Sequence, residues 1–132
     1  MGQVFEAIDE RMREWLLGQR MFFVATAPLT GDGMVNLSPK GLDTFAVLGP
    51  HSVAYLDLTG SGIETVAHLR ENGRIVLMFC AFDGPPRIVR FHGRGTVVEA
   101  GTAGFDELAA HFPRDSSARA VIRVDVARIA DT

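Results

Sequence analysis

The stretch running from Tyr55 through Leu58, Thr59-Gly60-Ser61-Gly62 and Ile63-Glu64-Thr65 to Phe79 constrains the fold more than any other part of the chain. A β-branched and aromatic run ends at Leu58, and four small residues then turn the backbone directly into a helix. Ser61 followed by Glu64 reads as a capping box, so the helix is predicted to begin at about Gly62. Ile63, Val66, Ala67 and Leu69 supply its apolar stripe, and Asn72-Gly73 supplies a left-handed stop before the next apolar run. A helix start of this kind presents unpaired amides beside the hydroxyls of Thr59, Ser61 and Thr65, which suits a phosphate. Equally, Ser61 and Glu64 satisfy those amides themselves, and the local motif taken alone favours this second reading.

Around this unit the chain alternates strand-length runs with tight turns. Phe5, Ile8, Met12, Trp15 and Leu16 recur at helical spacing, which predicts a helix over 4–17 that Gly18 ends. Residues 21–27 form an apolar strand, and Asp32-Gly33 suits a hairpin into a second strand at 34–38, where Pro39 breaks regular pairing. A loop through Phe45 and Leu48 leads to a strand at 52–58, and a fourth strand follows the helix at 74–82. Residues 87–99 alternate so that Ile88, Arg90, His92 and Arg94 share a face, while Gly93 and Gly95 mark a bulge or a close neighbour. Phe105, Leu108, Ala109 and Phe112 predict a short helix closed by Pro113, and residues 120–129 form a last strand with Ile122, Val124 and Val126 inward. Six strands joined mostly by tight turns favour antiparallel pairing and closure into a small barrel.

Composition narrows the function classes. A chain of 132 residues, 47% hydrophobic and 22% charged, suits one globular domain spanning 1–132. Its apolar runs are too short to span a bilayer as helices, and no basic leader or apolar signal core opens it, so a cytoplasmic protein without a membrane partner is expected. A net charge of -3 argues against nonspecific nucleic-acid binding. Cys80 lies inside an apolar run and reads as a small buried hydrophobe. His51, His68, His92 and His111 lack the spacing of a metal site, so no metal is expected, and His68 reads as a surface or packing residue.

The ordered set of apolar strand, hairpin, Asn36-Leu37-Ser38-Pro39-Lys40-Gly41, strand, Gly60-Ser61-Gly62 helix, Asn72-Gly73-Arg74-Ile75-Val76-Leu77-Met78-Phe79 and Arg90-Phe91-His92-Gly93-Arg94-Gly95 resembles the pyridoxamine 5'-phosphate oxidase-like family of flavin-binding split barrels. The resemblance covers about residues 15–130. It implies a mainly β fold, a six-stranded antiparallel Greek-key split barrel, paired into a homodimer with FMN sites across the interface. Residue by residue, it implies that Ser38 and Lys40 reach flavin and phosphate, with Lys40 neutralising the charge. The strand ending in Asp57 and Leu58 would border the isoalloxazine ring, Ser61, Glu64 and Thr65 would form the phosphate turn, and Arg90 would stand near the flavin. Asp57 would hydrogen-bond the cofactor or cap the loop, the second being the simpler role.

Two departures shape what the resemblance implies. Where the oxidases that name the family place a basic pair at the helix start, this chain has Glu64-Thr65, so Lys40 and Arg90 would have to supply the missing cations. Those oxidases also continue into a basic segment for the substrate phosphate, whereas this sequence stops at Thr132, so oxidation of pyridoxamine phosphate is not expected. Two readings follow. In one, the chain is an oxidoreductase using FMN or a deazaflavin on a small planar substrate, with the flavin carrying the chemistry and no acid-base residue required. In the other, it binds or stores flavin, deazaflavin or haem without turnover.

Overall fold

The computed structural model describes residues 2–41, 43–58, 63–113 and 118–132. Strand β1 (Gln3–Phe5) opens the chain, followed by helix α1 (Glu10–Leu17) and strands β2 (Met21–Thr26), β3 (Asn36–Gly41), β4 (Phe45–Gly49) and β5 (Ser52–Leu58). Helix α2 (Ile63–Glu71), strands β6 (Arg74–Cys80) and β7 (Ile88–Glu99), helix α3 (Ala103–Ala109) and strand β8 (Ala118–Asp131) complete it. All strand pairs are antiparallel, and the sheet runs β3-β2-β6-β7-β8-β5-β4, with β1 joining the far end of β8. Among the described residues no helix is long and apolar enough to cross a membrane.

The expected class, an antiparallel barrel sheet with short helices, holds, but the described residues carry eight strands rather than six. The helix expected over 4–17 begins only at Glu10, because the Asp9 side chain caps it by accepting from the Met12 amide at 2.8 Å. The residues before the cap pair with β8 instead, Phe5 opposite Ile129. The loop expected around Phe45 is strand β4, whose apolar residues alternate between the two faces of the sheet. Pro39 does not interrupt β3, because β3 is an edge strand, where a missing N–H leaves no interior ladder bond unmade.

Two glycine expectations hold for identifiable steric reasons. The β7–β8 register shifts between His92 and Gly93, and a Cβ on Gly93 would stand 2.2 Å from the Asp125 carbonyl oxygen. A Cβ on Gly95 would stand 2.9 Å from Leu69, so α2 lies directly on the strand there. Gly73 ends α2 with φ of 74°, the left-handed stop expected.

The curled sheet encloses one apolar cluster and carries a second outside. Phe22, Val24, Val53, Leu77, Phe79, Phe91, Ile122 and Val124 fill the inner face, closed by Met12 and Leu16 of α1 and Leu69 of α2. Phe22 and Phe79 stack with centroids 5.0 Å apart. Outside, Phe105, Ala109 and Phe112 lay the α3 region onto Ala46, Ala54, Leu56 and Val121. Cys80 is half-buried rather than buried, because it lies on the outer face that neither cluster covers.

Candidate functional site

Strand β3 brings polar side chains to the inner face of the barrel. Asn36, Ser38 and Lys40 stand opposite Thr26, Val24 and Phe22, so the strand period of two turns all three inward. On a central strand such a row would be costly to bury. At the sheet edge it forms one lip of the barrel's opening, and α2 lies against it. Asn36 Nδ2 donates to Thr65 Oγ1 at 2.9 Å, and Thr26 Oγ1 meets His68 Nδ1 at 2.9 Å. His68 therefore packs and hydrogen-bonds, in line with the packing role expected of it. Thr65 is 2% exposed, in the first turn of α2.

The other lip comes from β5. Asp57 is buried at a register shift near the end of that strand, and Arg119 Nε donates to its Oδ2 at 2.8 Å. Lys40 Nζ lies 4.0 Å from Asp57 Oδ1 and 5.8 Å from the centroid of the Tyr55 ring. Because β3 and β5 are not neighbours in the sheet, this contact crosses the split of the barrel. The loop that Asp57 was expected to cap lies outside the described residues. The Asp57 carboxylate faces two cations, one of them 62 residues away in sequence.

The electrostatics of this cluster are uneven. Burial pushes the Lys40 ammonium below its usual range, Asp57 offsets part of that, and Arg119 adds to the lowering. A separation of 4.0 Å is too long for a hydrogen bond, so Lys40 is desolvated without a close counter-charge. The Tyr55 hydroxyl is buried and pushed up by burial first and by Asp57 second. Neither it nor the buried Ser38 hydroxyl has a hydrogen-bond partner among the described residues. A loosely compensated cation beside orphaned hydroxyls is an arrangement that an anionic group relieves.

The structure separates the other residues singled out in the sequence. Glu64 is exposed in the first turn of α2, away from the buried hydroxyl of Thr65. Leu58 is half-buried and packs against the α3-side cluster, not into the opening. Ser61, with the capping box it would form, lies outside the described residues. Arg90 stands opposite Met78, which stands opposite Phe23, so it is on the outer face, whereas Lys40 stands opposite Phe22 on the inner one. Within one chain Lys40 and Arg90 cannot share a phosphate, because the sheet lies between them. Sequence reading missed the side chains of Asn36, Tyr55 and Arg119. Asn36 was legible in principle, since period two places it with Ser38 and Lys40. Arg119 was not, as nothing local links it to Asp57. Among the described residues no group of three or more His, Cys, Asp or Glu side chains could hold a metal ion.

Comparison with known proteins bears on this geometry. The family model described as pyridoxamine 5'-phosphate oxidase matches residues 8–132. The pyridoxamine 5'-phosphate oxidase family protein ustO of Aspergillus flavus is 45% identical over 129 residues, covering 95% of this chain and 51% of its own length. The chain thus spans about half the length of that curated relative. Group A Streptococcus HupZ superposes with a TM-score of 0.71 at 22% identity, covering 92% of this chain and 91% of its own. An FMN-binding protein from Syntrophomonas wolfei gives 0.65 at 14% identity, covering 93% and 90%. The FAD binding protein from Mycobacterium smegmatis gives 0.63 at 14% identity, covering 96% and 95%. At these identities the solved structures speak for the fold alone.

Proposed function

Because the chain belongs to the pyridoxamine 5'-phosphate oxidase family, we propose that it is a flavin-dependent oxidoreductase that holds FMN by its phosphate at the Lys40 end of the barrel opening and works as a homodimer on a small planar substrate. The observation that carries this reading is the buried, loosely compensated Lys40 ammonium beside the orphaned hydroxyl of Ser38. Lys40 would meet the phosphate charge, Ser38 would hydrogen-bond it, and Thr65, fixed by Asn36, would present its hydroxyl from the start of α2. Arg119 would hold Asp57 back, so that the carboxylate does not repel the anion or draw Lys40 into a closer pair. When bound, the flavin supplies the hydride or electron transfer. The chain's own work is to position, to shield from water and to balance charge. Structural neighbours described as FMN- and FAD-binding proteins support the cofactor class.

The outer face supports the homodimer. Phe23, Ala25, Val76 and Met78 lie there side by side with no helix over them among the described residues, and Leu37 on the same face is 68% exposed. Arg90 stands beside Met78, where a second chain would bring it near a shared site.

The test is the absorption spectrum of the protein purified without added cofactor, followed by fluorescence titration of stripped protein. A flavin band and saturable FMN binding are expected, with Lys40→Ala weakening it at least tenfold and Arg11→Ala, an exposed cation on α1, leaving it unchanged. A deazaflavin spectrum would change the cofactor and keep the site. A Soret band, or equal FMN affinities for the two variants, would overturn the reading.

A further inference from the structure

The geometry points to a second binding site, at the α1 end of the barrel, for a small molecule carrying one aromatic ring and a carboxylate. It is independent of the flavin reading. A cavity of about 230 Å³ opens there between the end of α1, the start of β2 and the start of β4. That is below the 300–1,000 Å³ usual for drug-sized ligands, so a single ring with a short polar substituent is the scale it admits. Half-buried Phe45 lines it, backed by Phe22 at 5.4 Å and Phe79 at 4.7 Å between centroids, and such an aromatic wall favours a flat apolar ligand.

Three polar features bear on the rest of the ligand. Thr44 lines the cavity at 3% exposed, and its hydroxyl has no hydrogen-bond partner among the described residues. Arg20 also lines it and forms no salt bridge among the described residues, leaving a planar guanidinium available to grip a carboxylate. Asp43 stands at the rim with φ of 58°, a left-handed conformation uncommon outside glycine and often held where a site demands it. Its carboxylate opposes an anion, which sets the sign of one test below. Arg13 at the rim is already engaged with Glu10, so the attraction is assigned to Arg20.

The experiment is an NMR shift titration of the isotope-labelled full chain with benzoate, and with acetate and benzyl alcohol as the charge without the ring and the ring without the charge. Benzoate is expected to bind at least tenfold more tightly than either, with shifts centred on Arg20, Thr44 and Phe45. Arg20→Met should weaken benzoate and remove its advantage over benzyl alcohol, Thr44→Val should weaken benzoate several-fold, and Asp43→Asn should tighten it several-fold. Asparagine tolerates the left-handed backbone, and the spectrum of each variant reports its fold directly. Benzoate binding no tighter than acetate, or binding untouched by Arg20→Met, would overturn the proposal. So would loss of binding in Lys40→Ala instead, which would put the ligand at the other site.

Discussion

At the residue scale, Asp57 and Lys40 have opposite meanings although they face each other. Asp57, 2% exposed, accepts from Arg119 at 2.8 Å and lies 4.0 Å from Lys40, so Asp57→Asn removes the buried carboxylate charge that both cations face. The expected loss is on the order of 3 kcal/mol in urea denaturation. Lys40→Met removes a desolvated charge and leaves the Asp57–Arg119 pair intact, so it should change stability by less than about 1 kcal/mol while damaging anion binding. Equal destabilisation by the two variants would contradict this division. The same pair predicts a pH dependence. With Lys40 held below its ordinary 10.5, the unfolded chain binds more protons between the lowered value and 10.5, and stability from this group rises with pH across that window. Tyr55 acts in the opposite sense. Its hydroxyl is held above the ordinary 10.0, so the unfolded chain loses that proton first and stability falls once pH passes 10.0. Unfolding free energies from pH 7 to 11 should therefore climb towards pH 10 and then drop, and Lys40→Met should lack the climb.

At the scale of elements, the long β7 strand is shaped by glycine. Gly93 sits where the ladder shifts register, and a side chain there runs into backbone that no rotamer change can move. Gly93→Ala is expected to cost roughly 3 kcal/mol, at the upper end for overpacking. Gly31→Ala, in a turn where a Cβ meets nothing within 4 Å, should stay within about 0.5 kcal/mol. Thermal melts of the two variants side by side check this. Such positions were legible in the sequence, because a Gly-x-Gly pair inside an alternating strand has few structural explanations. The boundary of α1 was not. Phe5 and Ile8 fit the helical period as well as Met12 does, and only the cap at Asp9 and the pairing of β1 with β8 separate them. Likewise β4 read as a loop because its five residues lie so close to β5, with no long alternation of their own.

At the scale of the whole molecule, the helices among the described residues close the inner face of the sheet and cover part of the outer one. Inside, α1 and α2 close the barrel, whereas outside, α3 covers only the β4-β5-β8 end. The remaining apolar outer face, with Phe23 and Met78 at its centre, is the surface on which the proposed second chain would lie. Met78→Asp should convert a dimer into a monomer in sedimentation at micromolar concentration, and should lower flavin affinity with it. A monomeric parent protein would remove the basis for a shared site.

What the sequence determined by itself was local: strand-length runs, glycine punctuation, and the strand at 52–58 followed by a helix that stops at Gly73. These are set by side-chain period and backbone sterics over a few residues, and a linear reading sees both. What tertiary structure alone decided was which distant groups meet. Arg119 reaches Asp57, Asp57 faces Lys40 across the split, and Arg90 falls on the far side of the sheet from Lys40. Each depends on strand order and on the curl that brings two ends of one sheet together, and no local pattern carries that information.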